Sequence, residues 1–205
     1  MKRNNVLSTR NLVLMGMLSA VAAILMLFKV PMPFAPGFYK VDISEVPVLI
    51  GAFAIGPLAG VIIELMKNLL NILMEGTTTA YVGEIANFLS GVCLVFPAAI
   101  IYHKLKTKKG ATIGLVIGTI IMSIASCFIN RYITLPAYIE FSSGLTMDGI
   151  ISTGAALNFL VKDLMSFLVF AVLPFNIVKC SIASLLTLLL YKQVSPFIKG
   201  YHKDA

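Results

Sequence analysis

The sequence predicts an all-α integral membrane protein with six transmembrane helices, both termini cytoplasmic and a ligand pocket on the outer face. Three observations carry this reading. Of 205 residues, 59% are hydrophobic and only 12% are charged, about half the charge fraction of a soluble globule. Apolar runs of about 20 residues recur, the length that crosses a hydrocarbon core. Lysine and arginine gather in short clusters beside those runs, as cytoplasmic loops do. The net charge of +7 therefore belongs to a protein that sits in a lipid bilayer, and no nucleic-acid partner is expected.

The first element follows "MKRNNVLSTR". That stretch is like the basic region of a signal peptide. The apolar run 11–29 is long enough to span, however, and no small-x-small cleavage site follows, so it is read as a retained first helix. Residues 43–74 are too long for one simple span. Gly56-Pro57 within "AIGPLAG" is a natural turn, which gives a hairpin of 43–55 and 57–74. The second helix, at about 13 residues, reaches only ~20 Å and must tilt or be wrapped by its neighbours.

Spans 82–103 and 111–135 flank "KLKTKK", and 173–191 is the last span. Residues 148–172 are apolar but interrupted by Lys162 and Asp163. Parity decides how they run. Lys2, Arg3 and Arg10, then Lys104, Lys106, Lys108 and Lys109, then Lys192, Lys199 and Lys203 all belong on the cytoplasmic side. An even number of crossings must separate each cluster from the next. The 148–172 segment therefore does not cross, and 137–172 is an outer connection with a membrane-associated helical segment. The chain reads as one membrane domain, 1–205. Trp is absent, so Tyr39, Tyr81, Tyr102, Tyr138 and Tyr191 near the span ends serve as interfacial aromatics. Cys93, Cys127 and Cys180 lack metal-ligand spacing and read as small core residues.

Polar side chains inside spans are expensive and face protein or a cavity. Here they gather at one level. Lys179 lies about six residues below the expected outer end of the last helix, roughly 9 Å, and Asn130 lies at a similar depth below Pro136. Pro174, above Lys179, is expected to break the approach to the helix. Asn176 shares its first turns. Glu84 and Asn87 open the fourth helix in "GEIANFLSG"; Lys67, Asn68 and Asn71 stand near the outer end of the third. The inner halves, "VCLVFPAAII", "GLVIGTIIMSI" and "IASLLTLLL", are nearly free of strong polar groups. The pattern is an outer polar pocket above an apolar plug.

Each polar residue also has a structural reading. Glu64 and Lys67, three apart, suit an internal ion pair. Asn68 and Asn71 suit caps or snorkelling, Arg131 suits snorkelling, and Glu84 suits the dipole of a first helical turn. For Lys179 the alternative to ligand contact is an ion pair with Asp163 or Glu84. The first outer loop, "FKVPMPFAPGFYKV", adds Phe34, Phe38 and Tyr39, with Gly37 allowing close backbone approach. Aromatic faces with fixed polar donors suit a flat heterocycle with a polar tail; an interfacial aromatic cap is the plainer reading.

"DISEVPVLIGAFAIGPLAGVIIELMKNLLN", "GEIANFLSG", "NRYITLPAY" and "PFNIVK" together resemble the riboflavin-specific S components of energy-coupling factor (ECF) vitamin transporters, over nearly the whole chain. The resemblance implies a six-helix protein of the bacterial cytoplasmic membrane that binds riboflavin from outside as a transported ligand, with no cofactor. It implies Lys179 and Asn130 as polar contacts to the ring system, with Asn87, Glu84, Asn176, Gly37, Phe38 and Tyr39 around them. It also implies partners: a transmembrane coupling subunit, docked through small residues of helix one, and two ATPase subunits. In "GMLSAVAA" that face is Gly16 and Ala20 or Ser19 and Ala23, at the i, i+4 spacing that lets helices approach closely.

No G-x-x-x-x-G-K-[ST] loop occurs, so ATP hydrolysis falls to the partners and no enzyme activity is expected. The alternatives are an S component for another vitamin and an unrelated intramembrane enzyme. The second would want paired carboxylates or a histidine-centred site in the spans. His103 and His202 stand instead beside cytoplasmic lysines and read as solvated.

Overall fold

The computed structural model describes residues 6–33, 35–37, 39–77, 80–141 and 146–199, with side chains described as far as Tyr191. Helix α1, Thr9–Met26, starts where the Ser8 side chain accepts from the Asn11 N–H. The connection after it pairs β1, Val30–Pro31, with β2, Lys40–Val41, in an antiparallel ladder of two residues per strand. No alternation in the residue pattern marks this ladder. It folds the first loop back over the helix ends.

Helix α2 is Glu45–Ala54 and α3 is Pro57–Glu75. Gly56 turns between them at φ +151°, a conformation that side chains disfavour. At 10 residues, α2 is shorter than expected, about 15 Å. Nine of its ten residues are buried, so neighbouring helices surround it rather than lipid. Helix α4, Val82–Leu105, and α5, from Lys108, are joined by the short lysine-rich turn. They pack closely because Gly114 and Gly118 of α5 lie on the Ala98 and Leu94 carbonyls. A Cβ at these glycines would stand 2.5 and 2.6 Å from those oxygens.

Two boundaries differ most from the sequence reading. Helix α5 does not stop at 135: it continues through a π-helical turn, Asn130–Thr134, and on through Leu135–Phe141. The last helix, α7, starts not at 173 but at Leu164, and runs through a π-turn, Leu168–Val172, into Leu173–Lys199. Each π-turn ends two residues before a proline, Pro136 or Pro174. A proline lacks an N–H and crowds the carbonyl four residues back. The wider turn moves that carbonyl aside, so the helix bends without breaking. Pro174 therefore does not interrupt the approach to Lys179. Lys179 lies about 15 residues, ~22 Å, from the start of that helix, where the sequence counts about six.

Between α5 and α7, helix α6, Met147–Leu157, packs beside the helix ends. Leu135, Ile150, Val161, Phe167 and Leu168 are buried together there. Among the described residues, this connection packs as a cap on the helix ends. Among the described residues, five helices are long and apolar enough to cross a membrane, namely α1, α3, α4, Lys108–Phe141 and Leu164–Tyr191, with α2 as a shorter apolar helix.

The main core is made of small and aliphatic side chains: Met15, Ala22, Val48, Leu49, Ala52, Ile63, Leu94, Ala98, Leu115 and Cys180. Its lysine-loop end carries polar links that the sequence reading did not foresee. His103 is half-buried, and its Nε2 lies 3.0 Å from the Ala52 carbonyl at the end of α2. It was expected to be solvated; in the fold it ties α4 to the orphan carbonyls of a buried helix end. The Tyr102 and Tyr191 hydroxyls meet at 2.6 Å, and Tyr102 stacks on Phe53 at 4.6 Å. Tyr102 is thus a core residue rather than an interfacial one. His202 lies outside the described residues.

Candidate functional site

The chain direction sets the site's position. Helix α4 begins and α5 ends at the pole opposite the Lys104–Lys109 turn. The ends of α1 and α3, the β1–β2 loop and the upper part of α7 converge at the same pole. Between them lies an open cavity of about 570 Å³. Gly37, Tyr39, Glu84, Asn87, Asn130, Asn176 and Lys179 all line it. These seven come from four separate stretches of sequence. Phe34 and Phe38 lie outside the described residues.

Lys179, 7% exposed, is the cationic centre of the floor. Its Nζ donates to Asn87 Oδ1 at 3.2 Å and stands 3.9 Å from Asp42 Oδ2. The expected structural partners are not used. Asp163 is exposed and caps α7, accepting from the Ser166 N–H at 2.7 Å, and Glu84 accepts from Thr77 Oγ1 at 3.3 Å. Burial would push the Asp42 carboxyl up; the Lys179 and Lys67 ammonium groups and the hydrogen bond from the Ser44 N–H outweigh it and hold Asp42 below the usual carboxylate range.

Asn130 sits in the π-turn of α5. Its Nδ2 donates to the Ser126 carbonyl at 2.8 Å, and its Oδ1 accepts from the Tyr39 hydroxyl at 2.7 Å. Desolvation pushes the Tyr39 phenol up, so it remains a donor. The Tyr39 ring packs against Phe175 at 5.0 Å between centroids, which joins the loop to α7. Asn176 Nδ2 donates to the Val172 carbonyl at 2.8 Å, a carbonyl of the second π-turn. Each asparagine is thus anchored to the carbonyl four residues back in its own helix, Asn130 at the start of one π-turn and Asn176 just beyond the other.

Several lining residues were missed: Asp42, Ser90, Ser126, Thr134, Tyr138 and Met26. A signal existed for two of them. Ser90 follows Asn87 by three residues and Ser126 precedes Asn130 by four, so each shares a helical face with a residue already singled out. Ser126 Oγ and Ser90 Oγ lie 3.2 Å apart across the α4–α5 seam. Asp42 sits in a loop, where no periodicity marks it.

The helix-one residues divide. Ser19 and Ala23 are buried at 1% and 0%, and Ser19 Oγ donates to the Met15 carbonyl at 2.7 Å. They lie on the side of α1 that faces the bundle. Gly16 and Ala20 are exposed, and a Cβ at Gly16 would meet nothing within 4 Å. Arg131 points away from the cavity, with its guanidinium 5.5 Å from the centre of the Tyr132 ring. The Glu64–Lys67 pair forms at 2.8 Å, with Glu45 as a third member. Asn68 and Asn71 are buried rather than snorkelling.

Comparison with known proteins matches residues 10–191 to a family model described as ECF transporter, substrate-specific component. The chain is 35% identical to the riboflavin transporter RibU of Staphylococcus aureus (strain TCH60), over 97% of each protein. It is 32% identical to the riboflavin transporter FmnP of Bacillus subtilis (strain 168), over 94% of this chain and 96% of that one. A solved structure of the S component of a bacterial ECF transporter superimposes with a TM-score of 0.72 at 33% identity, covering 93% of this chain and 98% of the other.

Proposed function

The chain belongs to the ECF transporter substrate-specific component family, and from that premise we propose that it captures riboflavin at the outer face and delivers it to an ECF module. It is a multi-pass protein of the bacterial cytoplasmic membrane. Similarity over nearly the full length to proteins named riboflavin transporters carries the assignment. The cavity supports it: about 570 Å³ lies within the usual range for small-molecule sites.

In this reading the six helices α1 to α5 and α7 cross the membrane, with the lysine clusters cytoplasmic and the cavity outward. Lys179 and Asn130 hydrogen-bond the flavin ring system, and Asn87, Glu84, Asn176, Tyr39 and Gly37 complete the pocket. The exposed Gly16–Ala20 face of α1 docks a transmembrane coupling subunit, and two ATPase subunits drive release. The protein itself captures ligand and leaves hydrolysis to its partners.

The test is titration of riboflavin with purified protein, read by quenching of flavin fluorescence. Saturable quenching at one flavin per chain is expected. Unchanged fluorescence at micromolar protein would overturn the flavin assignment while leaving the family membership intact.

A further inference from the structure

A polar string runs from the cavity floor into the bundle. Lys179 Nζ donates to Asn87 Oδ1. Asn87 Nδ2 donates to Asn68 Oδ1 at 3.1 Å. Asn68 Nδ2 donates to Glu64 Oε1 at 3.0 Å and to the Glu64 carbonyl at 2.8 Å. Glu64 pairs with Lys67 at 2.8 Å, and Lys67 reaches Glu45 at 2.9 Å. Glu45, Glu64, Lys67 and Asn68 are 1%, 0%, 0% and 4% exposed. None of these four is among the described residues that line the cavity.

The string has one direction. A carboxylate only accepts and an ammonium group only donates. Two amides lie between Glu64 at one end and Lys179 at the other. Glu64 turns the Asn68 amino group toward itself, which leaves the Asn68 carbonyl facing Asn87. Asn87 must then show its amino group to Asn68 and its oxygen to Lys179. Lys67, held between two carboxylates, fixes Glu64 in place. Gly91 leaves the room: a Cβ there would overlap the Glu64 carboxylate.

Stability alone does not account for this cluster. Buried ion pairs add little over apolar packing of the same volume, and Glu45 Oε2 and Glu64 Oε2 have no hydrogen-bond partner among the described residues, which costs further. What the cluster does deliver is the polarity of the Asn87 amide. We propose that Glu45, Lys67, Glu64 and Asn68 are positioning residues for ligand binding: they set which atom of Asn87 faces Lys179, and so where the ammonium group is held. The proposal rests on the riboflavin reading only for the identity of the probe.

The experiment is a double-variant cycle on the full chain. Asn68→Leu is expected to weaken riboflavin binding about tenfold, and to cost nothing further in an Asn87→Leu background, because residues acting through one another are not additive. A purely structural role would carry the same loss into both backgrounds and would overturn the proposal, as would unchanged affinity in the single variant. Should Asn68→Leu fail to fold, Glu64→Gln against Glu64→Leu replaces it: the glutamine, which still accepts from Asn68, should keep affinity where leucine loses it, and equal losses would refute the string. A second readout needs no ligand. In asparagine-selective ¹⁵N spectra, the Asn87 side-chain amide should shift and exchange faster in the Asn68 variant; an unmoved signal would overturn the proposal even for a protein that ignores riboflavin.

Discussion

The Tyr39 hydroxyl donates a 2.7 Å hydrogen bond to Asn130 Oδ1, joining residues 91 apart in sequence. Through this bond the first loop is held over the cavity by the π-turn of α5. Both amide ends of Asn130 are thereby fixed, one by its own helix and one by the loop. The cavity is preorganised with its loop in place, which reduces the ordering that a ligand must impose.

Tyr39→Phe removes this bond and keeps the ring against Phe175. Riboflavin affinity should fall by about 0.5–1.5 kcal/mol, the net value of a neutral hydrogen bond. Fluorescence titration measures it. An affinity equal to that of the parent protein would show that the loop is held by packing alone.

Lys179→Met keeps the length of the side chain and removes the charge. Binding should weaken by about 1.5–3 kcal/mol, the scale of a charged hydrogen bond. The same titration decides, with thermal unfolding as control. Full affinity would make Lys179 a structural partner of Asp42 and nothing more.

Asp42 gives a pH dependence whose sign is fixed. Its carboxyl is held below the usual range in the folded protein, so its contribution is present above the unfolded value, about 3.9, and is lost as pH falls through the folded one. The parent protein should unfold at a higher temperature than Asp42→Asn at pH 7, and the gap should close as pH falls below 4. A gap independent of pH would separate Asp42 from the charge on Lys179.

Two faces of α1 should respond differently to bulk. Gly16→Leu and Ala20→Leu, on the exposed face, should spare riboflavin binding and abolish uptake by cells. Ser19→Leu, inside the bundle, should lower stability by about 1–3 kcal/mol, as overpacking does. Normal uptake by the Gly16 and Ala20 variants would move the docking face elsewhere.

The sequence by itself determined the solvent and the plan. Apolar runs of membrane length, lysine clusters between them and Gly56-Pro57 as a turn are local signals, and each is written in consecutive residues. So was the crowding of Asn87, Asn130, Asn176 and Lys179 toward one pole, because depth along a helix follows from counting. What only the tertiary structure decided was partnership. Lys179 lies by Asp42 and Asn87 rather than by Asp163 or Glu84, Ser19 and Ala23 face inward, and His103 joins α4 to α2, because such pairings depend on how helices rotate and cross. The two prolines show the same limit. A proline reads as a break in a single strand of sequence, but a helix packed on its neighbours absorbs it in a π-turn, since the contacts on either side favour continuity over rupture.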